Sequence, residues 1–158
     1  MEGITSVFAA KATPAEVQGL LFREVDFSGD DEADADVFNS GLGELFGLNF
    51  VEEDYFLRLW SPKPTNPTDF FALPQPDIGL YELEKEVLIA RCKKLKIAEL
   101  DNIFIAGDTS AEDLVPGQMR EIGKGDSYVA YLGMFHHGRI FGESAKERKL
   151  LRDGWLPG

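Results

Sequence analysis

The positions of apolar side chains divide this chain into short blocks with different periods. Thr5–Ala10 (TSVFAA) is a short apolar run and predicts a first strand. Thr13-Pro14-Ala15-Glu16 then carries helix-start chemistry: a hydroxyl N-cap, proline at the first helical position and glutamate at the third. Val17, Leu20 and Leu21 continue at helical spacing, so the helix is expected to end near Arg23. Asp26–Asp36 is polar and acidic, contains Ser28-Gly29, and reads as an exposed loop. Asp36 is a candidate cap for a second helix running through Phe46, with Val37, Leu42, Leu45 and Phe46 inward. Gly41 and Gly43 count against that helix, and Gly47 would end it.

Leu48–Trp60 (LNFVEEDYFLRLW) is the most aromatic stretch. Two short strands around the Glu52-Glu53-Asp54 corner are expected, with a single irregular segment as the alternative. Ser61–Pro76 holds five of the eight prolines and predicts a long, partly extended loop dividing the chain into two halves. The clearest helical period follows, at Leu80, Leu83, Val87, Leu88, Cys92 and Leu95, with Asp77 as candidate N-cap. Acidic residues gather near its start and Arg91, Lys93, Lys94 and Lys96 near its end, which complements the helix dipole.

Ile103–Ala106 predicts a short buried strand. Gly107–Gly125 reads as loop, with Pro116-Gly117 a turn signal. Ser127–Phe135 alternates as a strand and is expected to turn at His136-His137-Gly138 into Arg139-Ile140-Phe141. Lys146–Arg152 predicts a charged tail helix. Strands interspersed with helices, and hairpin-like pairs, predict a single α+β domain: a mostly antiparallel sheet with helices packed on one face.

The length of 158 residues suits one domain and a core large enough to need no staple. Cys92 is the sole cysteine, so no internal disulfide can form and a reducing cytoplasm is expected. The first residues lack a basic start followed by a long apolar run, so no secretory signal is expected. No apolar run is long enough for a transmembrane helix.

Charge changes the picture most. Eleven of the 28 acids lie between Glu24 and Asp54, and none of the 16 basic residues does. The other 17 acids nearly balance the bases. An asymmetry of this sign argues against nucleic acid or an anionic membrane as partner, since both need a cationic footprint. It favours a cationic partner or a bound cation.

The alternating Asp30, Glu32, Asp34 and Asp36 invite a calcium reading. An EF-hand begun at Asp30 needs glycine at its sixth position and glutamate at its twelfth, and Ala35 and Gly41 stand there. His136-His137 has no HExxH or CxxC companion, and adjacent strand residues face opposite ways. A hairpin turn explains the pair. Cys92 lies near the basic C-terminal end of its helix, the wrong pole for a reactive thiolate, and is expected in the core. No phosphate loop, dinucleotide fingerprint or GxSxG elbow occurs. No catalytic residue, cofactor or metal is therefore expected.

The stretch from Phe38 to Phe56 carries a Phe-Gly-hydrophobe step and a Glu-Glu-Asp followed by aromatics. With the apolar strand Ser127–Phe135, it resembles bacterial immunity proteins of polymorphic toxin systems, nearest to immunity protein family twenty-two. The resemblance covers about a third of the chain. The Pro-rich insert and the His136-His137 turn depart from it. It implies a small cytoplasmic α/β or α+β protein that binds and blocks a cognate toxin, often a nuclease.

The expected partner is thus a cationic protein, a toxin or nuclease domain, met by an acidic surface. The residues expected to carry that contact are Asp30, Asp31, Glu32, Asp34 and Asp36, joined by Glu52, Glu53 and Asp54 if the fold brings them near. Tyr55 is expected as an apolar anchor, and Phe56 is better suited to the core. Three alternatives remain at this level. A phage anti-defence protein or nucleic-acid mimic would use the same charge. An enzyme would use His136, His137 or buried carboxylates, and an adaptor domain would carry an incidental acidic face.

Overall fold

The computed structural model of the chain describes residues 4–23, 38–48, 50–75, 83–109, 111, 113–123, 125–136 and 139–141. Its organising feature is a pair of strands with almost no polar face. β1 (Thr5–Lys11) is buried at every position before Lys11, and β3 (Leu100–Gly107) is buried throughout. A strand apolar on both faces must be covered on both faces. These two lie side by side, antiparallel, at the centre of the sheet.

β2 (Phe56–Thr65) pairs with the outer side of β3, and β5 (Tyr128–His136) with the other side of β1. β4 (Met119–Glu121) and β6 (Arg139–Phe141) each pair with β5. The order is β2-β3-β1-β5-β4, with β6 also on β5, and every pairing is antiparallel. The β5–β6 hairpin falls where the sequence predicts it.

Four helices flank this sheet among the described residues. α1 (Pro14–Leu20) and α2 (Gly41–Phe46) bury Val17, Leu20, Leu42 and Phe46 against Phe8, Phe104, Val129 and Tyr131. α3 (Pro67–Ala72) and α4 (Lys85–Lys94) bury Phe70, Phe71, Leu88 and Cys92 against Val7, Ile103, Ile105 and Leu132. Neighbouring residues of one strand, such as Val7 and Phe8, enter different clusters, so the clusters lie on opposite faces. The fold is α+β on an antiparallel sheet, as the sequence predicts. The helical cover extends to both faces, because the central strands have no polar side to leave in water.

Several local expectations change. α1 has its full capping box, with the Glu16 N–H donating to Thr13 Oγ1 at 3.2 Å and the Thr13 N–H to Glu16 Oε1 at 2.9 Å. It ends at Leu20, short of Arg23. α2 begins after Ser40, whose Oγ accepts from the Gly43 N–H at 2.8 Å; the candidate cap Asp36 and Val37 lie outside the described residues. Gly47 ends it in the left-handed region at φ 76°. The Glu52–Asp54 corner is a 3₁₀ turn (Glu53–Tyr55) leading into one strand, with no strand just before it among the described residues.

The Pro-rich stretch 61–76 is not a loop throughout: β2 runs on to Thr65, and α3 starts at Pro67. β2 is an edge strand, and its register breaks between Trp60 and Thr65, so Pro62 and Pro64 fall where no ladder bond is required. α4 starts after Glu84, which leaves Leu83 buried outside it; the candidate cap Asp77 and Leu80 lie outside the described residues. β4 interrupts the stretch expected as loop before Gly125. The tail helix Lys146–Arg152 lies outside the described residues. No helix among the described residues is long and apolar enough to cross a membrane.

Candidate functional site

Glu52, Glu53, Asp54 and Tyr55 occupy the turn at the start of β2. Glu52 is half-buried, and Glu53, Asp54 and Tyr55 are exposed. Tyr55 is 48% exposed and Phe50, just ahead of the turn, 58%. Two large apolar side chains in water beside three carboxylates form a mixed acidic and aromatic surface. Phe56 turns the other way: its ring stacks on Phe104 at 5.9 Å and meets Phe22 edge-on at 5.0 Å. Tyr55 is thus the more exposed of the two, and Phe56 is half-buried.

Buried Asn39 holds this corner. Its Nδ2 donates to the Val51 carbonyl at 2.7 Å, and its Oδ1 accepts from the Val51 N–H at 2.9 Å. The same residue's carbonyl accepts from the Arg23 N–H at 3.0 Å, and the Gly41 N–H reaches the Leu21 carbonyl at 3.2 Å. Phe22 and Ser40 form a bridge between these bonds. Residues 21–23 and 39–41 are therefore clamped together, and Asn39 couples that clamp to the corner. Asp30, Asp31, Glu32, Asp34 and Asp36 lie outside the described residues. Glu44 forms an ion pair with Arg23 at 3.0 Å. Both partners are well exposed, so the pair contributes little stability, but it compensates one of the eleven acids.

A second constellation was missed in the sequence. A cavity of about 550 Å³ opens at the other end of β2, between Arg58, Trp60 and Pro62 on one side and Thr13, Pro14 and Val17 of the α1 start on the other. Asp101 and Asn102 line it. Asp101, 8% exposed, accepts at Oδ1 from the Ala12 N–H at 3.0 Å and from Asn102 Nδ2 at 2.7 Å. Asn102 Oδ1 accepts from Arg58 Nε at 2.7 Å. The Arg58 guanidinium lies 5.9 Å from the centre of the Trp60 ring, and Trp60 is 55% exposed. Burial lowers the Arg58 pKa, partly offset by the nearby Asp101 charge. At the rim Lys11 is neutralised by Asp126 at 2.6 Å. The signal available in the sequence was small: a single Arg58 inside the aromatic stretch, and a polar Asp101-Asn102 pair opening an otherwise apolar strand.

His136 ends β5, paired in register with Arg139, and His137 lies outside the described residues. Cys92 is wholly buried, and desolvation pushes its thiol up to about 12, so it is a neutral core group at physiological pH.

Comparison with models of known protein families found no match, and neither did comparison with curated proteins or with solved structures.

Proposed function

We propose that this chain is a binding protein that docks on a cationic protein through its acidic end, and that it acts as an inhibitor of that partner. The observation that carries the reading is the double hydrogen bond between Asn39 and Val51. It ties the Glu52, Glu53 and Asp54 corner to the Arg23–Asn39 backbone bond, which supports a shared acidic end. A dense negative field raises the encounter rate with a positive partner. Tyr55 and Phe50 supply exposed apolar area that contact could desolvate, the kind of anchor that dominates interface energies.

The resemblance to toxin immunity proteins supports the more specific form of this reading. A nuclease site is cationic because it holds phosphates, and an acidic surface competes for it. In that form the partner is a toxin or nuclease domain, and the chain acts in the cytoplasm without catalysis or a cofactor.

The experiment is affinity capture from the native cell, identification of any basic protein retained, and inhibition of its activity by the purified chain. The triple variant Glu52→Gln, Glu53→Gln, Asp54→Asn should bind and inhibit at least about tenfold more weakly. Undiminished binding and inhibition by that variant would remove the corner from the interface.

A further inference from the structure

The cavity beside β2 presents two opposite charges that do not meet. Arg58 and Asp101 stand at the two ends of one Asn102 carboxamide, each bonded to it at 2.7 Å, and no ion pair joins them. Both hydrogen bonds to Asp101 end on Oδ1, which leaves Oδ2 available. Arg58 commits Nε alone, so the two Nη groups keep their donors. Lys11 is already closed on Asp126 and does not compete for an anion. The amide thus acts as a spacer that fixes a positive fork and a negative oxygen along one wall. Val17, Trp60, Pro62 and Pro64 add apolar surface around them. The volume, about 550 Å³, lies in the range of small-molecule sites.

A simple anion would be repelled by Asp101, and a simple cation by Arg58. A zwitterion satisfies both, with its carboxylate on the guanidinium and its ammonium on the carboxylate oxygen. We propose that this cavity binds a free α-amino acid with a large apolar side chain, the backbone charges on Arg58 and Asp101 and the side chain against Trp60 and the prolines. The site is separate from the acidic corner and does not rest on the inhibitor reading.

The test uses L-phenylalanine on the full chain, followed by heteronuclear NMR at the Trp60 indole and the Asn102 side-chain amide. Saturable shifts of both are expected, with a dissociation constant of about 1 mM or tighter. Phenylpropanoate, which lacks the ammonium, and phenethylamine, which lacks the carboxylate, should each bind at least about tenfold more weakly. Arg58→Gln and Asp101→Asn should each weaken L-phenylalanine by a similar factor, about tenfold or more. Asp101→Asn keeps an oxygen for the Ala12 N–H, and Arg58 is only partly buried, so Arg58→Gln serves should the first variant fail to fold. Absence of saturable shifts at about 10 mM ligand would overturn the proposal. So would equal binding of phenylpropanoate, or binding indifferent to Arg58→Gln.

Discussion

Gly41 shows how far a single residue can mislead a reading based on propensity. In the sequence it weakens the helix before Phe46, because glycine is a poor helix former. In the fold it lets α2 press against α1: a Cβ there would sit 1.6 Å from the Gly19 carbonyl oxygen. The obstacle is backbone, which cannot rotate away. Gly41→Ala is therefore expected to destabilise the chain by at least about 2 kcal/mol in urea unfolding, although alanine is the better helix former. Gly19→Ala, which meets nothing, should be neutral or slightly stabilising. Cys92 was legible because its position alone, on the apolar side and near a basic helix end, argued for the core. Its buried thiol should react with an aromatic disulfide reagent at neutral pH only after unfolding. Rapid reaction of the folded protein would contradict that placement.

At the level of elements, the sequence was readable wherever one local rule acted alone. The Thr13 capping box, the apolar runs of β1 and β3, and the β5 strand all stand as predicted, although β5 is buried on both faces from Val129 to Phe135 rather than alternating. The Pro-rich stretch was not, because two features competed. Asn66-Pro67-Thr68-Asp69 is a helix start of the same type as Thr13-Pro14-Ala15-Glu16, with the Asp69 N–H on Asn66 Oδ1 at 2.9 Å. The density of proline concealed it, since proline reads as breaker unless the strand is known to be an edge. The cavity was illegible for a different reason. Its residues come from four places in the chain, and only the strand order brings Lys11, Arg58, Asp101 and Asp126 together. The Asn39 clamp is likewise a pairing across 12 residues that no local pattern announces. Asn39→Ala would leave both polar groups of wholly buried Val51 without their partner. A loss of about 2 to 4 kcal/mol is expected, read by urea unfolding, with Asn39→Asp milder because one acceptor survives.

Across the whole molecule, charge is distributed unevenly, and so is its link to pH. Glu16 is held below its usual carboxylate range, first by the Thr13 backbone N–H and then by the Ser127 hydroxyl. Asp126 is lowered chiefly by its hydrogen bond from Lys11. A carboxylate depressed in the folded state stabilises above its unfolded pKa, and that contribution disappears as pH falls through the folded value. The gap in melting temperature between the native chain and Glu16→Gln should thus be present at neutral pH and close below about pH 4. The Glu24–Asp54 region acts differently. Glu53 and Asp54 are exposed and belong to the proposed field, so their removal should alter association more than stability. The most direct measurement is the association rate with the captured partner as salt rises from about 0.05 M to about 0.5 M, for the native chain and for Glu52→Gln, Glu53→Gln, Asp54→Asn. The account predicts a steep fall for the native chain and a slower, flatter response for the variant. Equal rates and equal salt slopes for the two would contradict it.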